Sequence, residues 1–285
     1  MPFPDRPVFR PDRADRNGFA GAAAVACAGQ AGTVDRRRRL LSGSLGFALL
    51  ALGVLPARLR AQANRDGGPI PIGVIGSGRI GGTVGGLWVR AGHPVMFSSR
   101  HPEELKRLVD KLGPLARAGT VAEALAFSKV IFLAVPYKAL PDIAAEHGKA
   151  FAGKIVVDAT NAIRARDGAI AEEASRKGIG ITTAKYLRGA RIVRAFNFMG
   201  ATKFASEHHR AEGLIAVPIA ADDPAALHVG EQLVRDAGFE PVVIGRLATA
   251  DSFAPGGPLF HQIGSADAMR ARMAEVSGKA ATEPK

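Results

Sequence analysis

Little in this chain can be cross-linked. One of its 285 residues is cysteine, Cys27. A disulfide framework and a cysteine-based zinc site are both excluded. Tyrosine occurs twice, and neither Tyr137 nor Tyr186 is followed by lysine four residues on. That removes the Tyr-x-x-x-Lys pair and disfavours a short-chain dehydrogenase acting on alcohols. The seven histidines have no metal-ligand spacing. His208 and His209 are adjacent, so on a helix they would point about 100° apart. The expectation is solvated histidines and no metal site. The apolar run Leu40–Leu55 has 16 residues, short of the roughly 20 that span a bilayer.

What is present is an ordinary globular mixture, 47% hydrophobic and 22% charged. That excludes a wholly disordered, collagen-like or coiled-coil chain. Glycine is plentiful at 34 residues, so close backbone approaches are expected. The formal charge is +12, and half of it lies in residues 1–63. The remaining body is only mildly basic, which suits an anionic ligand and gives no reason to expect nucleic acid.

The beginning of the chain is read as an address. Arg36 to Arg39 precede the apolar run, and Pro56 and Ala61-Gln62-Ala63 follow it. This is the order of a secretory signal with a small-residue cleavage site. Arg37-Arg38-Arg39-Leu40-Leu41 also fits the twin-arginine export pattern. Residues 35–63 are therefore expected to be a signal peptide that engages the export machinery and directs the protein to the periplasm. An uncleaved membrane anchor is the alternative. Residues 1–34, rich in Arg, Asp and Pro and then in Ala and Gly, show no amphipathic period. They are expected to be disordered or an untranslated extension, with Val34 as a candidate start.

The chemistry begins after this segment. Ile70–Ile75 reads as a strand and is followed by Gly76-Ser77-Gly78-Arg79-Ile80-Gly81. Ile80, Val84, Leu87 and Ala91 then recur at helical spacing until Gly92. Pro94–Ser98 reads as a second strand. In this context G-x-G-x-x-G is a dinucleotide fingerprint. Gly76 allows the turn, Gly78 admits the pyrophosphate, and Gly81 lets helix and strand approach. The helix start offers free N–H groups and positive charge to phosphate. The second strand ends in Ser98-Ser99-Arg100-His101, without the acid that holds an NAD ribose. Two hydroxyls and a guanidinium suit a 2′-phosphate, so NADP(H) is expected.

Alternation continues down the chain. Glu103–Leu112, Val121–Phe127 and Pro224–Ala237 read as helices. Val130–Val135, Ile155–Val157, Ile192–Phe196, Leu214–Ile219 and Val242–Ile244 read as strands. Apolar runs of this kind mark buried parallel strands. The expected fold is α/β, a doubly wound, mostly parallel sheet of seven or eight strands over residues 70–250. Residues 251–285 are read as a C-terminal segment and polar tail. Three strand ends carry Pro136-Tyr137, Thr160-Asn161 and Asn197-Phe198, the expected wall of a ligand site. Asp158 and Lys185 are acid–base candidates for a carbonyl substrate, or structural groups. No catalytic residue is assigned.

In their order, Gly76–Gly81, Ser99-Arg100, Ala134-Val135-Pro136-Tyr137, Asp158–Asn161, Ala195-Phe196-Asn197 and Gly256–Leu259 resemble the NADPH-dependent reductases of the deazaflavin coenzyme F420. The broader group shares the N-terminal domain of pyrroline-5-carboxylate reductase and the reductase domain of metalloreductases. The resemblance spans about residues 70–260. It implies that Ser99 and Arg100 hold the 2′-phosphate, and that Ala134, Val135 and Pro136 flank the nicotinamide. It also implies that Asn161 and Asn197 lie near the reacting ring. The export signal departs from the family, whose F420 reductases are cytoplasmic, and the helical dimerisation domain of pyrroline-5-carboxylate reductase is missing. The expected activity is hydride transfer between NADP(H) and a small-molecule redox acceptor, with a deazaflavin or flavin as second substrate. A non-catalytic NADP-binding sensor or scaffold remains the alternative, and a homodimer stays open.

Overall fold

The computed structural model describes residues 68–282. The extension 1–34 and the signal 35–63 lie outside the described residues. Within the described residues no helix is long and apolar enough to cross a membrane.

The chain alternates strands and helices from its first described element. The N-terminal half runs β1 (Ile72–Ile75), α1 (Arg79–Arg90), β2 (Val95–Ser98), α2 (Lys106–Leu112), β3 (Ala116–Gly119), α3 (Val121–Phe127), β4 (Val130–Leu133), α4 (Leu140–His147) and β5 (Ile155–Asp158). Three helices follow, α5 (Arg164–Asp167), α6 (Ala169–Lys177) and α7 (Ile179–Tyr186). Then come β6 (Arg191–Arg194), α8 (Ala201–Glu207), β7 (Ala216–Ala221), α9 (Pro224–Asp236), β8 (Glu240–Gly245) and α10 (Ala266–Thr282).

The eight strands form one sheet in the order β3-β2-β1-β4-β5-β6-β7-β8. All neighbours are parallel except β6 and β7. β1, β4 and β5 are buried at every position, as strands covered on both faces must be. β3, with the sequence Ala-Arg-Ala-Gly and two exposed residues, has no apolar run, which is why the sequence does not announce it. It forms on the sheet edge, where one face suffices.

The register sets up the site. Gly119, Ser98, Ile75, Leu133, Asp158 and Arg194 stand side by side as the last residues of six parallel strands. The segments that leave the sheet at this edge are therefore neighbours in space. β7 runs the other way, so its start lies beyond the carboxyl end of β6. Ala216 N donates there to Gly264 O at 2.8 Å, and His261 N donates to Phe198 O at 3.0 Å. The chain after β8 thus returns to the same edge.

Helix α1 is held by its one large aromatic side chain. Trp88 is fully buried, and its indole donates to Leu233 O of α9 at 2.8 Å. Its ring meets Phe132 and Phe196 edge-on at 4.9 and 5.5 Å. His93 departs from the expectation of solvated histidines, because it is wholly buried. Its Nδ1 accepts from Ile70 N at 2.9 Å, and its Nε2 lies 3.0 Å from Asp236 Oδ2. A buried imidazole needs such partners.

Candidate functional site

Three glycines open the site, and each is there for a different reason. Gly76 has φ +94°, a left-handed backbone that side chains resist. A Cβ there would also lie 2.6 Å from Ala134 O and 2.7 Å from Val135 Cγ1. The turn out of β1 is thus pressed against the residues leaving β4. A Cβ on Gly81 would run into Gly76 O and the Val74 side chain, so Gly81 is needed to seat the helix. Gly78 has neither constraint. Its φ is −72°, and a Cβ would meet nothing within 4 Å. Neither backbone conformation nor crowding requires a missing side chain here, and the open space has room for a ligand.

The start of α1 agrees with this. Gly78 supplies no side-chain cap, and the first turn holds no acid. Arg79 stands there instead, at the positive end of the helix dipole, where a cation is unfavourable unless an anion lies nearby. The uncapped N–H groups and Arg79 fit a pyrophosphate.

At the end of β2 the serines divide. Ser98 is buried and its hydroxyl donates to Val74 O at 2.8 Å. It braces the sheet and presents no hydroxyl to a phosphate at the surface. Ser77 donates to Ser98 O at 3.0 Å, tying the glycine loop to this strand end. Ser99 is partly exposed and its oxygen accepts from His101 N at 3.0 Å. Arg100 is exposed and is in no ion pair among the described residues. The Glu103 carboxylate faces His101 Nδ1 at 3.4 Å.

Across the sheet edge the two asparagines meet. Asn161 Nδ2 donates to Asn197 O at 2.7 Å, and Asn197 Nδ2 donates to Asn161 Oδ1 at 3.1 Å and to Phe253 O at 3.1 Å. Asn197 is 4% exposed, yet its Oδ1 has no partner. An unpaired buried acceptor costs free energy, so a donor from a ligand is the natural complement. Arg166 Nη2 holds Asn161 O at 2.6 Å while it grips Asp167 through two contacts of 2.9 and 2.8 Å. Burial pushes the Asp167 carboxyl up, but hydrogen bonds from Arg166 and from the Ile163 and Lys138 amides leave it below its ordinary value.

Beneath this edge lies a buried polar network. Asp158 Oδ2 pairs with Arg194 Nη1 at 2.7 Å, both wholly buried. Asp158 Oδ1 also accepts from Thr160 N and Oγ1, and Oδ2 accepts from the Thr183 hydroxyl. These bonds fix the Thr160–Asn161 turn, so Asp158 is a structural group and not an acid–base one. Lys185 is likewise tied to Glu173 at 2.6 Å on the surface. Tyr137 is buried and its hydroxyl donates to Ile179 O at 3.0 Å. Burial raises it far above its ordinary range.

A cavity of about 330 Å³ lies between the start of α1 and the two asparagines; Gly78, Ser99, Arg100 and Ala134 to Pro136 are not among its walls. Arg79, Ile80, Asn161, Phe196, Asn197 and His261 are among its walls. Phe196 and His261 both have φ +62°, which is uncommon outside glycine and an outlier for a residue as bulky as Phe196. Of the three non-glycine residues with a left-handed backbone among the described residues, two line this one cavity. Phe260 and His261, from the segment after β8, stack at 4.0 Å with their planes 23° apart. Sequence reasoning missed both. The only hint was Gly256-Gly257-Pro258-Leu259 just before them, and nothing local shows that the chain turns back to the site.

Comparisons with known proteins agree with this architecture. Residues 71–162 match the family described as NADP oxidoreductase, coenzyme F420-dependent. The metalloreductase STEAP3 of Rattus norvegicus is 30% identical over 186 residues, covering 63% of this chain and 34% of that protein. The chain thus spans about a third of that relative. A hypothetical protein from Sinorhizobium meliloti is 27% identical with a TM-score of 0.59, covering 73% of this chain and 98% of that one. A provisionally assigned F420-dependent NADP-reductase from Arthrobacter sp. FB24 shares the fold at 22% identity and TM-score 0.56, covering 64% of this chain and 87% of that one. Over residues 71–162 the chain is thus similar to the family described as NADP oxidoreductase, coenzyme F420-dependent.

Proposed function

We propose that this chain is an NADP(H)-dependent reductase that passes a hydride to a small-molecule redox acceptor of the flavin or deazaflavin kind. The observation that carries the reading is Gly78, where a side chain would have room and none is present. The uncapped helix start and the unpartnered Asn197 Oδ1 support it independently.

In this reading the amides of Gly78 to Gly81 bind the pyrophosphate. Arg100 and Ser99 take the 2′-phosphate, the guanidinium by a forked, charge-assisted pair. Ala134, Val135 and Pro136 border the nicotinamide. The Asn161–Asn197 pair orients the ring, with Asn197 Oδ1 accepting from its carboxamide. The bound cofactor supplies the hydride, and the residues around it supply orientation.

Titration of purified protein with NADPH and NADH tests the cofactor, and NADPH should bind at least about tenfold tighter. Equal affinities would remove the role of Ser99 and Arg100. Single-turnover oxidation of bound NADPH across a panel of acceptors tests catalysis, and no oxidation by any of them would favour a sensor or scaffold. The same reading carries export by the twin-arginine route, which fits a domain folded around its cofactor before transport. Fractionation should find a form beginning near Asn64 in the periplasm. Full-length chain on the inner membrane face would make residues 35–63 an anchor.

A further inference from the structure

Resting on the dinucleotide reading above, we propose that His261 is the acid of the acceptor subsite. It protonates the flavin- or deazaflavin-like acceptor on a ring nitrogen as the hydride is delivered.

The cavity that joins the helix start to the two asparagines has two titratable side chains among its walls, Arg79 and His261. Arginine keeps its proton throughout. Histidine is the side chain that exchanges one near neutrality. The His261 imidazole makes no hydrogen bond to another described residue, while its backbone N–H is fixed to Phe198 O at 3.0 Å. The face of its ring is stacked on Phe260, and the residue is exposed, so its nitrogens are open to solvent and to a ligand in the cavity.

No competing carboxylate lines the cavity. On the flanking elements, Asp158 is taken by Arg194 and Asp167 by Arg166. On α8, Glu207 is paired with Lys203. The cations on that side are Arg79, Arg166, Arg194 and Lys203; Arg166 is already bound to Asp167 and to Asn161 O, Arg194 to Asp158 and Lys203 to Glu207.

The step balances. A bound NADPH would supply the hydride with its electron pair and leave as NADP⁺. The acceptor ring gains the hydride at N5 of a flavin or C5 of a deazaflavin, and the displaced π pair moves through the conjugated ring onto N1. That atom takes the proton from His261. Neutral His261 then recovers a proton from water. The charge carried by a bound NADP⁺ would disfavour a charge on a neighbouring His261 and so favour the transfer.

The test is carbon-labelled histidine NMR on the protein, with the His261 resonance assigned by its loss in His261→Gln. Amide shifts of Gly76 to Gly81 report dinucleotide binding in the same samples. Exchanging NADPH for NADP⁺ should lower the ratio of protonated to neutral His261 by about threefold or more. A unit charge within about 5 Å shifts that balance by roughly half a log unit even at the dielectric of water. Adding 2′,5′-ADP, which lacks the nicotinamide, should leave the ratio unchanged. A ratio that is the same with NADPH and NADP⁺, while the glycine amides move, would overturn the role of His261 alone. Glycine amides that stay still with every ligand would overturn the dinucleotide reading, and this inference with it.

Discussion

Helices α1 and α9 begin in opposite ways. At α9, Asp223 accepts from Ala226 N at 2.7 Å, Pro224 occupies the first turn, and Arg191 neutralises the cap through contacts of 3.0 and 2.6 Å. Its orphan N–H groups are served from within. At α1, Gly78 offers no side chain, no acid stands in the first turn, and Arg79 adds a positive charge. Both helices pack on one sheet, and each buries a stripe of its residues. Stability alone would favour the same kind of start at both. Leaving one unfinished is what a phosphate-binding site requires.

The most severe way to break the contrast is to give α1 the cap that α9 has. Gly78→Asp should raise stability by about 0.5–1 kcal/mol, since the carboxylate meets free N–H groups and the helix dipole. It should also weaken NADPH by at least about 100-fold, because that carboxylate holds the place of the pyrophosphate and repels it. Calorimetric titration and thermal melting read both. Weakened binding together with lowered stability would mean that the loop is merely disrupted. Arg100→Ala comes next. It should weaken NADPH by about 1.5–3 kcal/mol, the worth of a charged hydrogen bond, and leave NADH unchanged. An equal loss for both would show that Arg100 is not reading the 2′-phosphate.

The reverse change is milder. Asp223→Ala should lower Tm by a few degrees with NADPH affinity unaltered, and an altered affinity would couple the two ends of the sheet. Smallest is the effect of acid. Arg191 and the Ala226 amide hold the Asp223 carboxyl down to about 2, from an ordinary 3.8. Lys185 and Lys177 likewise hold Glu173 down to about 2, from 4.5. The stability these two contribute is therefore complete above about pH 5. It is lost as pH falls through about 4 towards 2. Asp223→Asn melts should show less of this loss than wild type across that window.

Much of this was legible in the sequence. The glycine loop, the strand–helix alternation and the buried runs of β4 and β5 follow from local patterns with a single physical reading. Three things were not. β3 escaped because an edge strand needs no apolar run. Ser98 looked like a phosphate ligand because sequence cannot say which way a hydroxyl points, and here it faces Val74 O. His261 escaped because only the reversed direction of β7 brings its segment back to Asn197. Residue types and spacing reveal local chemistry; they do not reveal where a distant loop comes to rest.

Trp88 is the one tryptophan in the chain, and it sits against Phe196, whose backbone turn feeds Asn197 into the cavity. Ultraviolet emission from this protein therefore has one tryptophan source, deep in the fold and one aromatic ring away from the cavity wall. A dihydronicotinamide absorbs in the band where a buried indole emits. Cofactor loading should dim this light, unfolding should redden it, and the two changes can be followed separately in the unmodified protein.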